Sequence, residues 1–179
     1  MRRMRRRCPS MSDARRILWA LVAAIMLLLA GCGESEPLPS ATERFFVNDF
    51  ADVMSDADEQ TVYEAGVRLY EKTEAQVVLV TVDTLGDRDL ESYALELARA
   101  WGIGDEEQNN GVLLLFTTDG PHSRLEIGYG LEGALPDSKA GRILDTYLVP
   151  AYDDESAWSQ ALTATYRGVL NEVYTEYGL

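Results

Sequence analysis

The chain has 179 residues, with 30 acidic and 16 basic side chains, a single His and two Cys. A net charge of −14 repels nucleic acid and anionic lipid headgroups and attracts divalent cations or basic partners, while a solubilising or salt-adapted surface is the default reading of such a charge. The length is enough for one domain with an adequate hydrophobic core.

Arginines precede an apolar run over residues 17–30, which is 14 residues long. A bilayer-spanning helix needs about 20 such residues, so the run suits the h-region of a signal peptide better. It ends in Leu29-Ala30-Gly31-Cys32. The whole resembles a bacterial lipoprotein signal with its lipobox, which implies a lipid on the Cys32 thiol and cleavage before it. The competing readings are a true transmembrane anchor and a signal with an unrelated Cys. Met11-Ser12-Asp13-Ala14-Arg15-Arg16 already supplies an n-region, so translation is expected to start at Met11. Arg15-Arg16 also raises a twin-arginine export route, but the surrounding motif is poor.

Processing would remove residues 1–31, with seven of the basic residues and one acid, and leave a net charge of −20. With Cys8 in the leader and Cys32 lipidated, the remainder has no disulfide and no thiol nucleophile, even though export would permit disulfides. No second apolar span follows, so the lipid is expected to be the only membrane attachment; several acyl chains suffice, at about 0.8 kcal/mol per buried methylene. Residues 33–43 contain Pro37, Pro39 and two Ser without apolar periodicity and read as a flexible tether. The expected organisation is a signal peptide at 1–31, a lipidated tether at 32–44 and one domain at 45–179.

Ser55 with Asp58 resembles a capping box, and the spacing behind it predicts a helix over 56–74 with Val62, Gly66 and Leu69 on one side. Gln76-Val77-Val78-Leu79-Val80-Thr81-Val82 is a near-continuous apolar run, the mark of a strand covered on both faces. Asp87 or Asp89 can cap a second helix over 90–100, which Gly102 and Gly104 end. A second buried strand spans 111–117, and the Asp119-Gly120-Pro121 turn leads into an alternating strand from Arg124 to Tyr129. Helices over 137–148 and 155–176 complete the pattern. Helices alternating with buried strands imply an α/β layered sandwich, and the short 118–121 link requires one antiparallel pair, hence a mixed sheet.

Five segments in order, Val47-Asn48-Asp49-Phe50-Ala51-Asp52-Val53-Met54, Gln76-Val77-Val78-Leu79-Val80, Trp101-Gly102-Ile103-Gly104, Asn109-Asn110-Gly111-Val112-Leu113-Leu114 and Gly128-Tyr129-Gly130-Leu131-Glu132, resemble the TPM domain family. That family includes the thylakoid lumen protein of photosystem II repair, a nematode acetylcholine-receptor modulator and many bacterial exported proteins. The resemblance implies a Rossmann-like α/β/α sandwich, calcium binding in some members, and either an accessory or assembly role or the weak acid phosphatase activity attributed to the plant protein. Many bacterial relatives carry a C-terminal membrane helix or Gly-rich tail. This sequence ends at Leu179 with neither, and the lipid is expected to replace that anchor.

Asp49 lies in the segment that resembles the family's early Asp motif, and it is expected at a sheet edge near the Asn109-Asn110-Gly111 bend. Calcium takes six to eight oxygens from carboxylates, amides, backbone and water. Asp49, Asp52, Asn109, Asn110, Glu132 and Asp137 are the candidate ligands, with magnesium as the alternative ion. Each has a plainer reading: a turn entering a strand for the asparagines, a helix cap for Asp137 and a solvated loop charge for Asp52. The glycines of 128–133 do not fit a phosphate-loop spacing, the 105–111 segment does not fit an EF-hand, and Asp83-Thr84 lacks the second Asp of aspartyl-phosphate enzymes, Leu85 standing in its place.

Nucleophilic catalysis is poorly supplied. His122 is the only His, and no Ser lies in a nucleophile-elbow sequence. Arg99, Arg124, Lys139 and Arg142 are the basic residues available to line a phosphate site, each with an ordinary surface reading. Hydrolysis would therefore need a carboxylate-held metal activating water. Two function classes follow: a lipid-anchored, extracytoplasmic accessory module that binds a divalent cation and an envelope protein, at the outer membrane if the cell has one because Gly33 gives no acidic retention signal; or a weak metal-dependent phosphatase.

Overall fold

A computed structural model describes residues 36–179. Cys32, the lipobox and the Met11 start lie outside the described residues. Strand β1 (Val47–Asp49) feeds helix α1 (Asp56–Thr73), β2 (Gln76–Val82) feeds α2 (Leu90–Trp101), and β3 (Gly111–Thr117) turns directly into β4 (His122–Ile127). Helices α3 (Asp137–Tyr147) and α4 (Trp158–Glu176) follow, separated by short 3-10 turns. The strands lie in the order β1-β2-β3-β4. The first three are parallel, and β4 runs antiparallel to β3.

Alternation along the two central strands explains the layers. Val77 and Leu79 of β2, with Val112, Leu114 and Phe116 of β3, join the cluster that α1, α3 and α4 cover. Val78, Val80 and Val82, with Leu113 and Leu115, join Tyr93, Ala94 and Leu97 of α2. Successive side chains point to opposite faces, so an uninterrupted apolar run fits only a strand buried on both sides. Each aliphatic side chain hidden this way contributes about 1.5–3 kcal/mol relative to exposure. The fold is α/β with a small mixed sheet, as the sequence pattern predicts.

Local signals set the helix ends. Ser55 Oγ accepts from the Asp58 amide at 3.2 Å and opens α1. Asp89 Oδ1 accepts from the Ser92 amide at 2.8 Å and opens α2; these bonds hold its carboxyl below the usual range. Glu74 and Gly102 close the same helices in the left-handed region, at φ 57° and 61°. The last helix starts at Trp158, because residues Glu155–Ala157 form a 3-10 turn under an Asp154 cap instead of the predicted first helical turn.

Two features depart from the sequence reading. Strand β1 is unpredicted: it has three residues, and the polar Asn48 and Asp49 break any alternation. It pairs with β2 because Val47 is buried in the core and Phe46 C=O accepts from the Leu79 amide at 3.0 Å. The second departure is the tether. From Glu36 onward it lies against the domain. Trp101 Nε1 donates to Pro39 C=O at 2.9 Å, the Thr42 amide donates to Asn48 Oδ1 at 2.8 Å, and Leu38, like Phe45, Phe46 and Trp101, packs against the cluster on the α2 side of the sheet. The physical cause is asymmetry. Among the described residues one sheet face carries three helices and the other carries only α2, so Leu38 and the aromatic residues cover apolar surface that α2 leaves open.

Candidate functional site

Asp49 ends β1. Its two oxygens brace the turn that follows: Oδ2 accepts from the Met54 amide at 2.7 Å, and Oδ1 accepts from the Thr81 hydroxyl. Thr81 Oγ1 in turn accepts from the Ala51 amide at 3.2 Å, and Thr81 C=O from the Phe50 amide at 3.2 Å. The exits of β1 and β2 are thus tied together through one carboxylate. Within the braced turn Asp52 is exposed and takes a left-handed backbone, φ 53°.

The first turn of α1 adds Asp56, Asp58 and Glu59 to this rim, where the positive helix end favours negative charge. Burial, then the nearby Asp49 carboxylate, pushes the Glu59 carboxyl above its ordinary value; Asp56 and Asp52 add to this, and Arg44 opposes it. Arg44 Nη1 lies 3.4 Å from Glu59 Oε2, and its other nitrogen donates to Gln60 Oε1 at 2.9 Å. Arg44 thus pairs with one of the rim carboxylates, Glu59, whose proton affinity the charges of Asp49, Asp56 and Asp52 also raise.

The asparagine bend is elsewhere. Asp49 pairs with Thr81, and Thr81 with Phe116. Asn110 lies six positions before Phe116 in the chain, about 20 Å away at strand rise. The cause is topological: Asp49 ends a strand, Asn110 precedes one, and parallel strands place these positions at opposite rims. The expectation that Asp49 sits near the double-asparagine bend is therefore corrected, and one ion cannot span the six candidate ligands.

At the far rim the asparagines have structural duties. Asn110 is buried; its Oδ1 accepts from the Asp105 amide at 3.0 Å, and its Nδ2 donates to Tyr177 Oη at 3.2 Å and Gln108 Oε1 at 3.3 Å. Asn109, at φ 52°, uses its carbonyl to accept from the Gly130 amide at 3.0 Å. A Cβ on Gly128 would stand 2.2 Å from Asn109 O, and one on Gly130 2.0 Å from Gln108 O. The glycines of the Gly128-Tyr129-Gly130 segment are there to let two loops touch backbone to backbone.

Glu132 and Asp137 are exposed and line a cleft of about 410 Å³ with Arg124, Glu126 and Leu135. Arg124 is engaged by Glu126 at 3.0 Å and by Glu91 at 3.7 Å. The six candidates thus fall into three places: Asp49 with Asp52 at one rim, Asn109 with Asn110 at the other, and Glu132 with Asp137 in the cleft beside β4. Among the described residues, no three His, Cys, Asp or Glu are grouped to hold a metal. Sequence reasoning misses Thr81, Arg44 and Glu59. Thr81 leaves the clearest trace, as the one polar residue inside the apolar run of β2.

The profile of the TPM domain family matches residues 47–172. None of the curated proteins matches significantly. Among solved structures, the solution structure of the N-terminal domain of a P. gingivalis protein is 32% identical, with a TM-score of 0.68 over 74% of this chain and 84% of that one. The N-terminal domain of a Corynebacterium glutamicum protein, 13% identical, reaches a TM-score of 0.53 over 76% of this chain and 85% of that one, a likeness of fold alone. The family match spans most of the described residues, and on that ground the chain belongs to the TPM domain family.

Proposed function

We propose that this TPM domain works outside the cytoplasmic membrane, held by a lipid on Cys32, as an accessory module for an envelope protein, and that it takes up a divalent cation at the rim of Asp49 and Asp52. The observation that carries the cation reading is the run of acidic residues along one rim, Asp49 and Asp52 at the exit of β1 and Asp56 and Glu59 in the first turn of α1, with Glu59 alone paired to Arg44. A cation there relieves repulsion that the protein's own charges leave in place. Both Asp49 oxygens already accept hydrogen bonds, so the ion would use their remaining lone pairs, Asp52, backbone carbonyls and water. An irregular shell of this kind suits calcium better than magnesium, which demands near-octahedral geometry. The expected affinity is weak, with a Kd of about 10⁻⁴–10⁻³ M, as in extracellular calcium modules.

The anchor reading rests on the apolar run and Cys32 in the sequence. Labelled palmitate should enter the wild type and not Cys32→Ser; label in the variant would refute it. The cation reading is tested by thermal shift with calcium, magnesium and potassium chloride at matched ionic strength. Calcium should raise the melting temperature of the wild type, and Asp52→Asn should abolish the rise. Equal stabilisation by potassium chloride would reduce the rim to a salt-adapted surface. Turnover of a generic phosphomonoester that Asp52→Asn abolishes would shift the reading to metal-dependent hydrolysis.

A further inference from the structure

Strand β4 lies at the edge of the sheet, with β3 on one side only. Residues facing each other across an antiparallel pair alternate between exchanging backbone bonds and exchanging none. The Gly128 amide donates to Gly111 C=O at 2.7 Å. With Val112 opposite Ile127 and Leu114 opposite Leu125, this fixes the alternation: Arg124 and Glu126 exchange bonds with β3, whereas Ser123, Leu125 and Ile127 aim their N–H and C=O groups away from it. No other strand of the described residues pairs with that side.

The open side is a groove. Two adjoining clefts, of about 410 and 430 Å³, run along Ser123 to Ile127 and share Arg124, Leu125 and Asp137. Leu90 and Glu91 of α2 form one wall of the second cleft, and Ala140, Gly141 and Leu144 of α3 form the other. Small residues at 140 and 141 leave width for a backbone. Protected edges are normally short, bulged, proline-bearing or covered, and β4 has six regular residues without proline.

We propose that the β4 edge receives an extended, basic peptide segment of a protein partner, which adds a fifth strand to the sheet by pairing with Ser123, Leu125 and Ile127. This rests on the reading of the domain as a module that acts through protein contacts, and it names the surface. The charge of the groove selects the occupant. Glu91, Glu126, Glu132 and Asp137 line it against Arg124 alone, and Arg124 is already engaged by Glu126 and Glu91. A second copy of this chain would bring the same acidic edge and be repelled, whereas Lys or Arg at alternate positions of an added strand would meet these carboxylates.

The test is amide NMR of the nitrogen-15-labelled full chain in EDTA, titrated with a capped, alternating Lys–Val octapeptide. The Lys–Val peptide should slow hydrogen exchange at Ser123, Leu125 and Ile127 and leave Arg124 and Glu126, already paired, nearly unchanged. A Glu–Val peptide, or the Lys–Val peptide N-methylated on alternate amides, should produce no such slowing. The double variant Glu132→Gln/Asp137→Asn, which neutralises two exposed carboxylates without placing a positive charge at the start of α3, should stay folded and lose several-fold in affinity. Slowing at all five residues alike, equal response to the acidic peptide, or protection that rises with protein concentration without peptide would overturn the proposal; the last would assign the edge to self-pairing. EDTA keeps this outcome separate from the cation reading, which fails or stands on the calcium titration alone.

Discussion

The hydroxyl of Tyr166 occupies the space where a side chain on Gly66 would begin: a Cβ at Gly66 would lie 2.5 Å from Tyr166 Oη and 2.6 Å from Phe46 Cβ. The same hydroxyl donates to Val77 C=O at 2.7 Å, and burial pushes its pKa up. Helices α1 and α4 therefore pack against β2 at van der Waals distance because residue 66 has no side chain.

Two opposing effects act on Gly66→Ala. Helix propensity favours Ala by about 1 kcal/mol, while overpacking costs about 1–3 kcal/mol and backbone-adjacent contacts cannot yield easily. The expected result is a net loss, read as a lower urea midpoint at unchanged slope. Tyr166→Phe alone should cost about 1 kcal/mol through the lost hydrogen bond. Combined with Gly66→Ala it should cost less than the sum, because one of the two clashes disappears.

Asp49→Ala should destabilise the domain by about 1–3 kcal/mol, since the Met54 amide and the Thr81 hydroxyl lose their acceptor together. Denaturant unfolding measures this. Any functional loss in Asp49→Ala then reflects folding as much as chemistry, which is why the exposed Asp52 is the cleaner probe of the cation.

The Glu59 carboxyl is raised in the folded protein, so the fold binds its proton more tightly than the unfolded chain does. That contribution to stability is fully present below the unfolded pKa and is lost as pH rises through the folded pKa. Glu59→Gln removes the penalty of the charged form and should raise the melting temperature at pH 7. The advantage should vanish near pH 4 and shrink in calcium. Thermal melts of both proteins across that range, with and without the ion, check all three expectations.

Gly130→Ala places a Cβ 2.0 Å from Gln108 O, a backbone atom that cannot rotate away. The cost should reach about 3 kcal/mol or more. Hydrogen exchange should show the loss first at the Gly128 and Gly130 amides, which bond Gly111 and Asn109.

The sequence foretells β2 and β3 to the residue because burial on both faces leaves a near-continuous apolar run, and it foretells α1 and α2 because Ser55, Asp89 and Gly102 are strong local end signals. Strand β1 is invisible to that reasoning: three residues, two of them polar, take their shape from pairing with β2. The site was legible in part. Asp49 and Asp52 stand together because they are three residues apart, but the spacing of Asp49 from Asn109 says nothing about which rim each occupies; only the parallel topology decides it. The brace from Thr81 and the ion pair from Arg44 cross between elements, so no local pattern announces them.

The most direct test of the cation account is a calcium titration of the labelled chain followed by amide NMR. The amides of residues 50–59 should shift together and saturate near millimolar calcium, an affinity in the range of weak extracellular sites, while those of Asn109, Asn110 and Glu132 stay fixed. Shifts confined to Asn109, Asn110 and Glu132, or no saturable shift anywhere, would contradict it.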